Sequence, residues 1–387
     1  MRPVAIVGVG QTPVREHWDA GLRELAVQAV WQALDESGRT SVDVFYVGNM
    51  LSGTLTGQEH LATLIAEYAG LAGVEAVKAE AACGSGAAAF RQAMLAVASG
   101  AAEVALAVGV EKLTETSTHK TTDGLASAAD ADYETAMGIS FVALNALLMR
   151  RYMHEYGYRK ADFAAFVEVA HRNAVHNPNA MFRHPVTREQ YERAKIVADP
   201  VNLLDSSPIA DGASAVVLTS LERVKEFPTV PVWVAACEVS TDTIALDNRE
   251  NPLWLKAAEQ SVRKALKNAG LTHRDIQLFE LHDAFSIMSA LSLEGSGFAE
   301  KGEAVKLANE GWFAIDGTLP ISTFGGLKAR GHPVGATGLY QIVEATLQLR
   351  GEAPHSIQIP DARTAMAQNI GGSGATIITT ILTKERL

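Results

Sequence analysis

The 387-residue chain is poor in cysteine: Cys83 and Cys237 stand alone and far apart. Disulfide-stabilised chains of this size usually carry more, so both thiols are expected free and the compartment reducing. Positive charge is also scarce, with 33 Lys and Arg against 44 Asp and Glu and a net charge of -11. That deficit argues against nucleic acid as a main partner, because a phosphate backbone needs a dense basic footprint. A phosphate-bearing small ligand needs only a few local cations and stays open. Long apolar runs are missing too. The longest uncharged stretch, 364–383, is interrupted by Gln368, Asn369, Gly371, Gly372, Ser373 and Gly374, which rules it out as a membrane helix. The chain opens on a β-branched run at 4–9 instead of a charged-then-apolar leader. A cytoplasmic protein with no membrane or nucleic-acid partner is expected. No His, Cys or Asp cluster has metal-ligand spacing, so no metal is expected. Gly8-Val9-Gly10 lacks the third glycine of a dinucleotide loop.

Apolar residues make up 48% of the chain, enough for one large core or two medium ones. The first half alternates strand and helix. Strands are expected at 4–9, 42–47, 77–82, 104–110 and 212–219, and helices at 22–37 and about 87–99. The second half replays this order. Ala-Leu-Asp-Glu-Ser-Gly-Arg-Thr at 33–40 resembles Ala-Leu-Lys-Asn-Ala-Gly-Leu-Thr at 265–272, and an aspartate follows each, Asp43 or Asp275. The stretch Gly335 to Gly351 matches Gly84 to Gly100 in length and placement. The second-half strands are expected at 232–239 and 276–281, with a helix at 255–269. Two similar α/β halves follow, 1–227 and 228–387, joined where Pro228 and Pro231 punctuate the chain. A long insert, about 114–205, carries helical pattern at 137–156 and 161–175. It reads either as a lid or binding segment or as an extra packing layer.

Cys83 closes an apolar strand and directly precedes a helix, among Ala82, Gly84, Ser85 and Gly86. Small neighbours permit a tight turn, and the helix N-terminus offers unpaired N–H groups and positive potential. Both are expected to lower the thiol pKa. A buried, inert cysteine is the alternative, and Cys237, in the apolar run 232–237, fits that description. His332 lies in the Gly/Pro-rich stretch Gly331-His332-Pro333-Val334-Gly335, and His282 in Leu281-His282-Asp283-Ala284-Phe285 after a strand. A fourth loop, 368–374, is a turn rich in backbone donors. His119, His154, His171, His176 and His184 fall in the insert and are taken as surface or structural.

These four loops, in this order, resemble the four active-site motifs of the thiolase superfamily over nearly the full chain. Asp211-Gly212-Ala213 and Asn177-Pro178-Asn179-Ala180 are similar to thiolase stretches as well. The resemblance implies a five-layered αβαβα sandwich of two similar halves with an inserted loop domain. It implies that Cys83 attacks a 3-ketoacyl-CoA and holds the acyl group as a thioester. His332 would take the thiol proton, and His282 would stabilise the departing enolate. The backbone N–H groups of Cys83 and Gly371 would form a second oxyanion hole. Coenzyme A thioesters would be substrates, with no permanently bound cofactor. His282, where many thiolases have asparagine, is similar to sterol-carrier-protein-type and archaeal-type members. Asn369 stands where many thiolases carry a second cysteine, so the acid/base on the acetyl α-carbon is left open. Implied partners are a second copy or three (a homodimer or homotetramer), a zinc-ribbon/OB-fold protein and a hydroxymethylglutaryl-CoA synthase. A retro-aldolase of the same superfamily and a non-catalytic acyl-CoA-binding scaffold are the alternatives.

Overall fold

A computed structural model describes residues 2–387. The strands are β1 (Val4–Gln11), β2 (Val44–Gly48), β3 (Glu75–Ala79), β4 (Val104–Glu111), β5 (Ile196–Ala198), β6 (Val201–Asn202), β7 (Gly212–Ser220), β8 (Val232–Thr241), β9 (Leu278–Glu280), β10 (Thr364–Gly371) and β11 (Thr376–Thr383). The helices are α1 (Leu22–Ser37), α2 (Leu61–Tyr68), α3 (Ser85–Ser99), α4 (Thr118–Ala126), α5 (Phe141–Tyr156), α6 (Ala164–Ala174), α7 (Arg188–Arg193), α8 (Lys256–Ala269), α9 (Ser286–Gly295), α10 (Ala304–Asn309) and α11 (Thr337–Arg350).

The strand order is β3-β2-β4-β7-β1-β8-β11-β10-β9. It contains the same motif twice. In the first half β2 runs parallel to β4, β4 antiparallel to β7, and β7 antiparallel to β1. In the second, β9 runs parallel to β10, β10 antiparallel to β11, and β11 antiparallel to β8. Even the outermost first-half pairing, β2 with β3, has a remnant in the parallel bridge Phe279–Ile321. The halves meet through a short antiparallel pairing of β1 with β8.

The period-2 alternation of the strands sorts their side chains into layers. Ala105, Ala107, Val216 and Leu218 point to one side, where they join Ala365, Ala367, Ile378 and Leu382 of the second half around α3 and α11. Their neighbours Leu106, Val108, Ala215 and Val217 point away and pack on α1 and α2. In the second half Met366, Ile370, Ile377 and Ile381 face α8 and α9. The stack is therefore helix, sheet, helix, sheet, helix. The central layer, α3 with α11, is shared by both halves. A Cβ on Gly338 would lie 2.5 Å from the Ala87 nitrogen, so only glycine allows the two helices to approach so closely.

The inserted segment packs α5 and α6 onto the second half's outer face. The expected helix at 137–156 starts later, at Phe141, because the Ser140 side chain accepts the Ala143 N–H and caps it there. The helix expected at 161–175 is divided between a 3-10 turn, Lys160–Phe163, and α6. The expected closing turn at 368–374 is also shorter. Residues Gln368 to Gly371 remain paired in β10 opposite Thr379 to Thr376, and only the residues after them turn.

Candidate active site

The segment after β3 makes a sharp turn into α3. Ala82 takes a left-handed φ of 51°, a conformation that costs a non-glycine residue about 1–2 kcal/mol. The turn is held from inside. The Ser85 hydroxyl accepts from Ala81 N–H at 3.0 Å and donates to the Ala82 carbonyl at 2.6 Å, while Gly84 N–H bonds the Ala81 carbonyl at 2.9 Å. Such strain at one residue is the mark of a position where the chain holds a side chain in a set direction. Cys83, the next residue, presents its sulfur to a cavity of about 820 Å³ that also receives His282, His332, Gly372 and Ser373.

A helix terminus alone would lower the thiol pKa. The structure reverses it. Burial pushes the Cys83 thiol up to about 12, with the nearby Glu111 carboxylate adding to the effect, and the backbone N–H groups of Cys83 and Gly372 pull down by less. A helix terminus is worth about 1 kcal/mol or less, whereas desolvating a charge can shift a pKa by several units. The thiol rests protonated.

The two imidazoles meet edge to face, with ring centroids 5.1 Å apart and planes at 89°. Burial lowers His282 to about 3, helped by the positive charges of Arg330 and Lys328. Burial likewise lowers His332 well below the usual histidine range, with His282 and Arg330 adding to it. Both are neutral near pH 7. His282 Nδ1 accepts from Ile370 N–H at 3.3 Å. A backbone N–H can only donate, so the His282 proton sits on Nε2. His332 Nδ1 contacts Thr337 Oγ1, at the first turn of α11, at 2.7 Å.

Beneath the histidines lies a buried set of charges that sequence reasoning missed. Arg330 pairs with Glu344 at 3.0 Å, both fully buried. Lys328 Nζ donates to the Asp283 carbonyl at 2.6 Å, Asp283 Oδ1 accepts from Leu327 N–H at 2.7 Å, and Glu280 accepts from the Thr323 backbone at 2.9 Å. Burial raises Glu344 to about 8 and Glu280 to about 7. Glu111, at the end of β4, was missed as well. Its carboxylate accepts from Met50 N–H at 2.9 Å, Leu51 N–H at 3.1 Å, Asn49 Nδ2 at 2.8 Å and Gly335 N–H at 3.0 Å. It thereby ties the His332 loop to the ends of β2 and β4, and burial raises it to about 7. The only sequence signals were a charge closing an apolar strand and a Lys-Ala-Arg run before the Gly-His-Pro loop.

Of the residues singled out from sequence, Cys83, His282 and His332 line one cavity. Asn369 lies behind them, its Nδ2 3.2 Å from His282 Nδ1. Gly371 stays in the β10–β11 ladder opposite Thr376, and the next residue, Gly372, lines the cavity, its backbone N–H pulling the Cys83 thiol pKa down. Cys237 is buried in β8 and receives the Thr380 hydroxyl at 3.3 Å. In the insert, His171 is buried and held near 4 by burial, while His119, His154, His176 and His184 are exposed. Thr114, Thr121, Phe141, Asn145 and Ile209 of the region between β4 and β7 wall the cavity. Asp211 anchors that region: it accepts from Lys112 Nζ at 2.7 Å, Leu113 N–H at 2.7 Å and His17 N–H at 3.0 Å. Among the described residues no three His, Cys, Asp or Glu side chains converge as a metal site, and no helix is long and apolar enough to cross a membrane.

Comparison with known proteins agrees with this arrangement. Residues 4–222 match the thiolase N-terminal domain, and residues 239–384 match the thiolase C-terminal domain-like model. An acetyl-CoA acetyltransferase of Methanothermobacter thermautotrophicus is 43% identical over 97% of this chain and 98% of its own length. That of Methanocaldococcus jannaschii is 40% identical over the full length of both. Among solved structures, an Ltp2-ChsH2(DUF35) aldolase superposes with a TM-score of 0.86 at 25% identity, covering 98% of this chain and 97% of the other. With both domain models matched in order and full-length relatives at this identity, the chain belongs to the thiolase family.

Proposed function

We propose that the protein is a thiolase-type acyltransferase that moves an acyl group between coenzyme A thioesters through a thioester on Cys83. The observation that carries this reading is a thiol on a strained turn opening on the same cavity as two neutral imidazoles. A neutral imidazole can take a proton that a charged one cannot. With Nδ1–H donated to Thr337 Oγ1, His332 carries a free lone pair on Nε2 and accepts the Cys83 proton as sulfur attacks the 3-keto carbon. The oxyanion that forms is met by backbone N–H groups at the Cys83 turn and the glycine-rich turn after β10, where Gly371 or Gly372 supplies the second donor. Collapse breaks the carbon–carbon bond and expels an acetyl-CoA enolate, whose oxygen is met by His282 Nε2–H. The imidazolium of His332 returns its proton to the enolate carbon. A CoA thiol then gives its proton to His332 and attacks the acyl-Cys83 carbonyl; the acyl–sulfur bond to Cys83 breaks, acyl-CoA leaves, and the Cys83 thiolate takes the proton back from His332.

Acetoacetyl-CoA is the first substrate this reading names, since the similar archaeal proteins are acetyl-CoA acetyltransferases; longer 3-ketoacyl-CoAs come next. No permanently bound cofactor is required. The same reading divides the chain into halves 1–227 and 228–387 with an insert at 114–205, and makes the enzyme a cytoplasmic homodimer or homotetramer. The aldolase assembled with ChsH2(DUF35) supports a zinc-ribbon/OB-fold partner protein here, and a hydroxymethylglutaryl-CoA synthase remains the candidate downstream partner. A retro-aldolase or an acyl-CoA-binding scaffold would need no acylated cysteine, so a cavity lined by Cys83 together with both imidazoles favours the transferase.

The test is CoA-dependent cleavage of acetoacetyl-CoA to acetyl-CoA. The wild type should turn over and Cys83→Ala should lose roughly 10⁴-fold in rate or more. Folded wild-type protein that cleaves neither acetoacetyl-CoA nor any longer 3-ketoacyl-CoA would overturn the proposal.

A further inference from the structure

Asn369 occupies an uncomfortable place. It is buried, its Oδ1 has no hydrogen-bond partner, and that oxygen sits so close to the Gly338 Cα that a Cβ there would lie 2.3 Å from it. An orphaned buried acceptor costs about 1–3 kcal/mol. Turning the amide over would not help, because it would set Oδ1 against the lone pair that His282 Nδ1 already presents to Ile370 N–H. The orientation with Nδ2 towards the ring, 3.2 Å from Nδ1, is the one the imidazole allows.

We infer that Asn369 is a positioning residue that locks His282 in the Nε2–H tautomer. Two donors, Asn369 Nδ2–H and Ile370 N–H, converge on one ring nitrogen. The proton is thereby confined to Nε2, and His282 faces the cavity as a hydrogen-bond donor and not as a base. A neutral donor that cannot give up its lone-pair position suits an oxygen that develops negative charge. The inference rests on the proposed acyl-transfer reading for what that oxygen is, namely the enolate of a CoA thioester. It also assigns the proton traffic. Neither residue 369 nor His282 exchanges protons with substrate, and His332 is the one imidazole left to do so.

The experiment is long-range ¹H–¹⁵N correlation on histidine-labelled full-length protein, with His282→Asn used to assign the His282 signals. The wild type should show Nδ1 bare and Nε2 protonated. Asn369→Asp exchanges a donor for a charged acceptor of the same shape, so Nδ1 should gain a proton. The charged and titratable groups facing His282 are otherwise Arg330, Lys328 and His332, which the substitution leaves in place. Because a carboxylate raises an imidazole's pKa, Asn369→Asp should be active at low pH, where Nε2 keeps its proton, and lose roughly 10²-fold in kcat once the ring is neutral with its proton on Nδ1. KM should change little, and the wild type should lack this limb. Asn369→Ala, which adds no buried charge, leaves Ile370 N–H as the single donor to Nδ1, so Nε2–H should stay the main tautomer and kcat should fall by less than in Asn369→Asp. Wild-type His282 found protonated on Nδ1, or Asn369→Asp keeping the wild-type tautomer and pH profile, would overturn the inference. The tautomer is read without substrate, so a failure of the acyl-transfer reading itself shows separately, as an absence of turnover with the tautomer intact.

Discussion

The two halves of the molecule share a strand order but not a chemistry. In the first, the turn before α3 carries a thiol, Cys83; in the second, the turn before α11 carries an imidazole, His332. Both helices belong to the central layer, so the repeated framework brings two chemically different loops to one cavity. The second half adds His282 after β9; its first-half counterpart, β2, is followed by Asn49. Asn49 serves structure, holding Glu111 and the Val110 carbonyl. On the proposed reading, the first half supplies the group to be acylated and one backbone donor for the oxyanion, and the second supplies both imidazoles. What a repeat conserves is the backbone geometry that aims a side chain; what it leaves free is which side chain is aimed.

Breaking the second half's contribution should show this division most clearly. His332→Ala should lower kcat by roughly 10³-fold, as expected for loss of a general base, and His282→Ala by roughly 10²-fold, as for loss of an oxyanion donor. Steady-state thiolysis measures both. Equal losses to that of Cys83→Ala would mean that the halves do not divide the work as described.

The seam between the halves can be tested through packing. Gly338→Ala places a methyl 2.5 Å from the Ala87 nitrogen and 2.3 Å from Asn369 Oδ1. Overpacking of this kind costs about 1–3 kcal/mol. Denaturant unfolding should show the loss, whereas the same change at the exposed, contact-free Gly57 would be dominated by its left-handed φ of 69° alone.

The effect that is smallest near neutral pH is electrostatic. The folded pKa of His282, about 3, lies below its ordinary value of 6.5. Between those values the unfolded chain binds a proton that the folded protein refuses, so stability is lost as pH falls from 6.5 towards 3. His282→Asn removes this liability. The stability of the variant relative to wild type should rise by up to about 1.4 kcal/mol for each pH unit lowered through that window. A pH-independent difference would mean that His282 is not held neutral by the fold.

The sequence was most informative where backbone chemistry is punctuated. Gly84, Gly86, Gly331, Pro333 and Gly335 flagged the loops that carry Cys83 and His332, and the Gly38/Gly270 and Gly100/Gly351 pairs marked the repeat. Those signals are local, and glycine and proline state their conformational demands in the sequence itself. The contacts that tune the site are not local. Glu111 reaches Gly335 across 224 positions, and Arg330 finds Glu344 only because α11 folds back over it. The pKa of Cys83 shows the same limit: the helix terminus was visible in the sequence, the burial that outweighs it was not. The left-handed Ala82 likewise has no signature, since alanine ordinarily avoids that conformation.

The most direct test of the account is intact-protein mass spectrometry after brief exposure to acetoacetyl-CoA, comparing wild type with Cys83→Ala. The account predicts a gain of one acetyl group on the wild type and none on the variant. An acetyl group on both proteins, or turnover by the wild type with no covalent species when the reaction is trapped by acid at early times, would contradict an acyl carrier at Cys83.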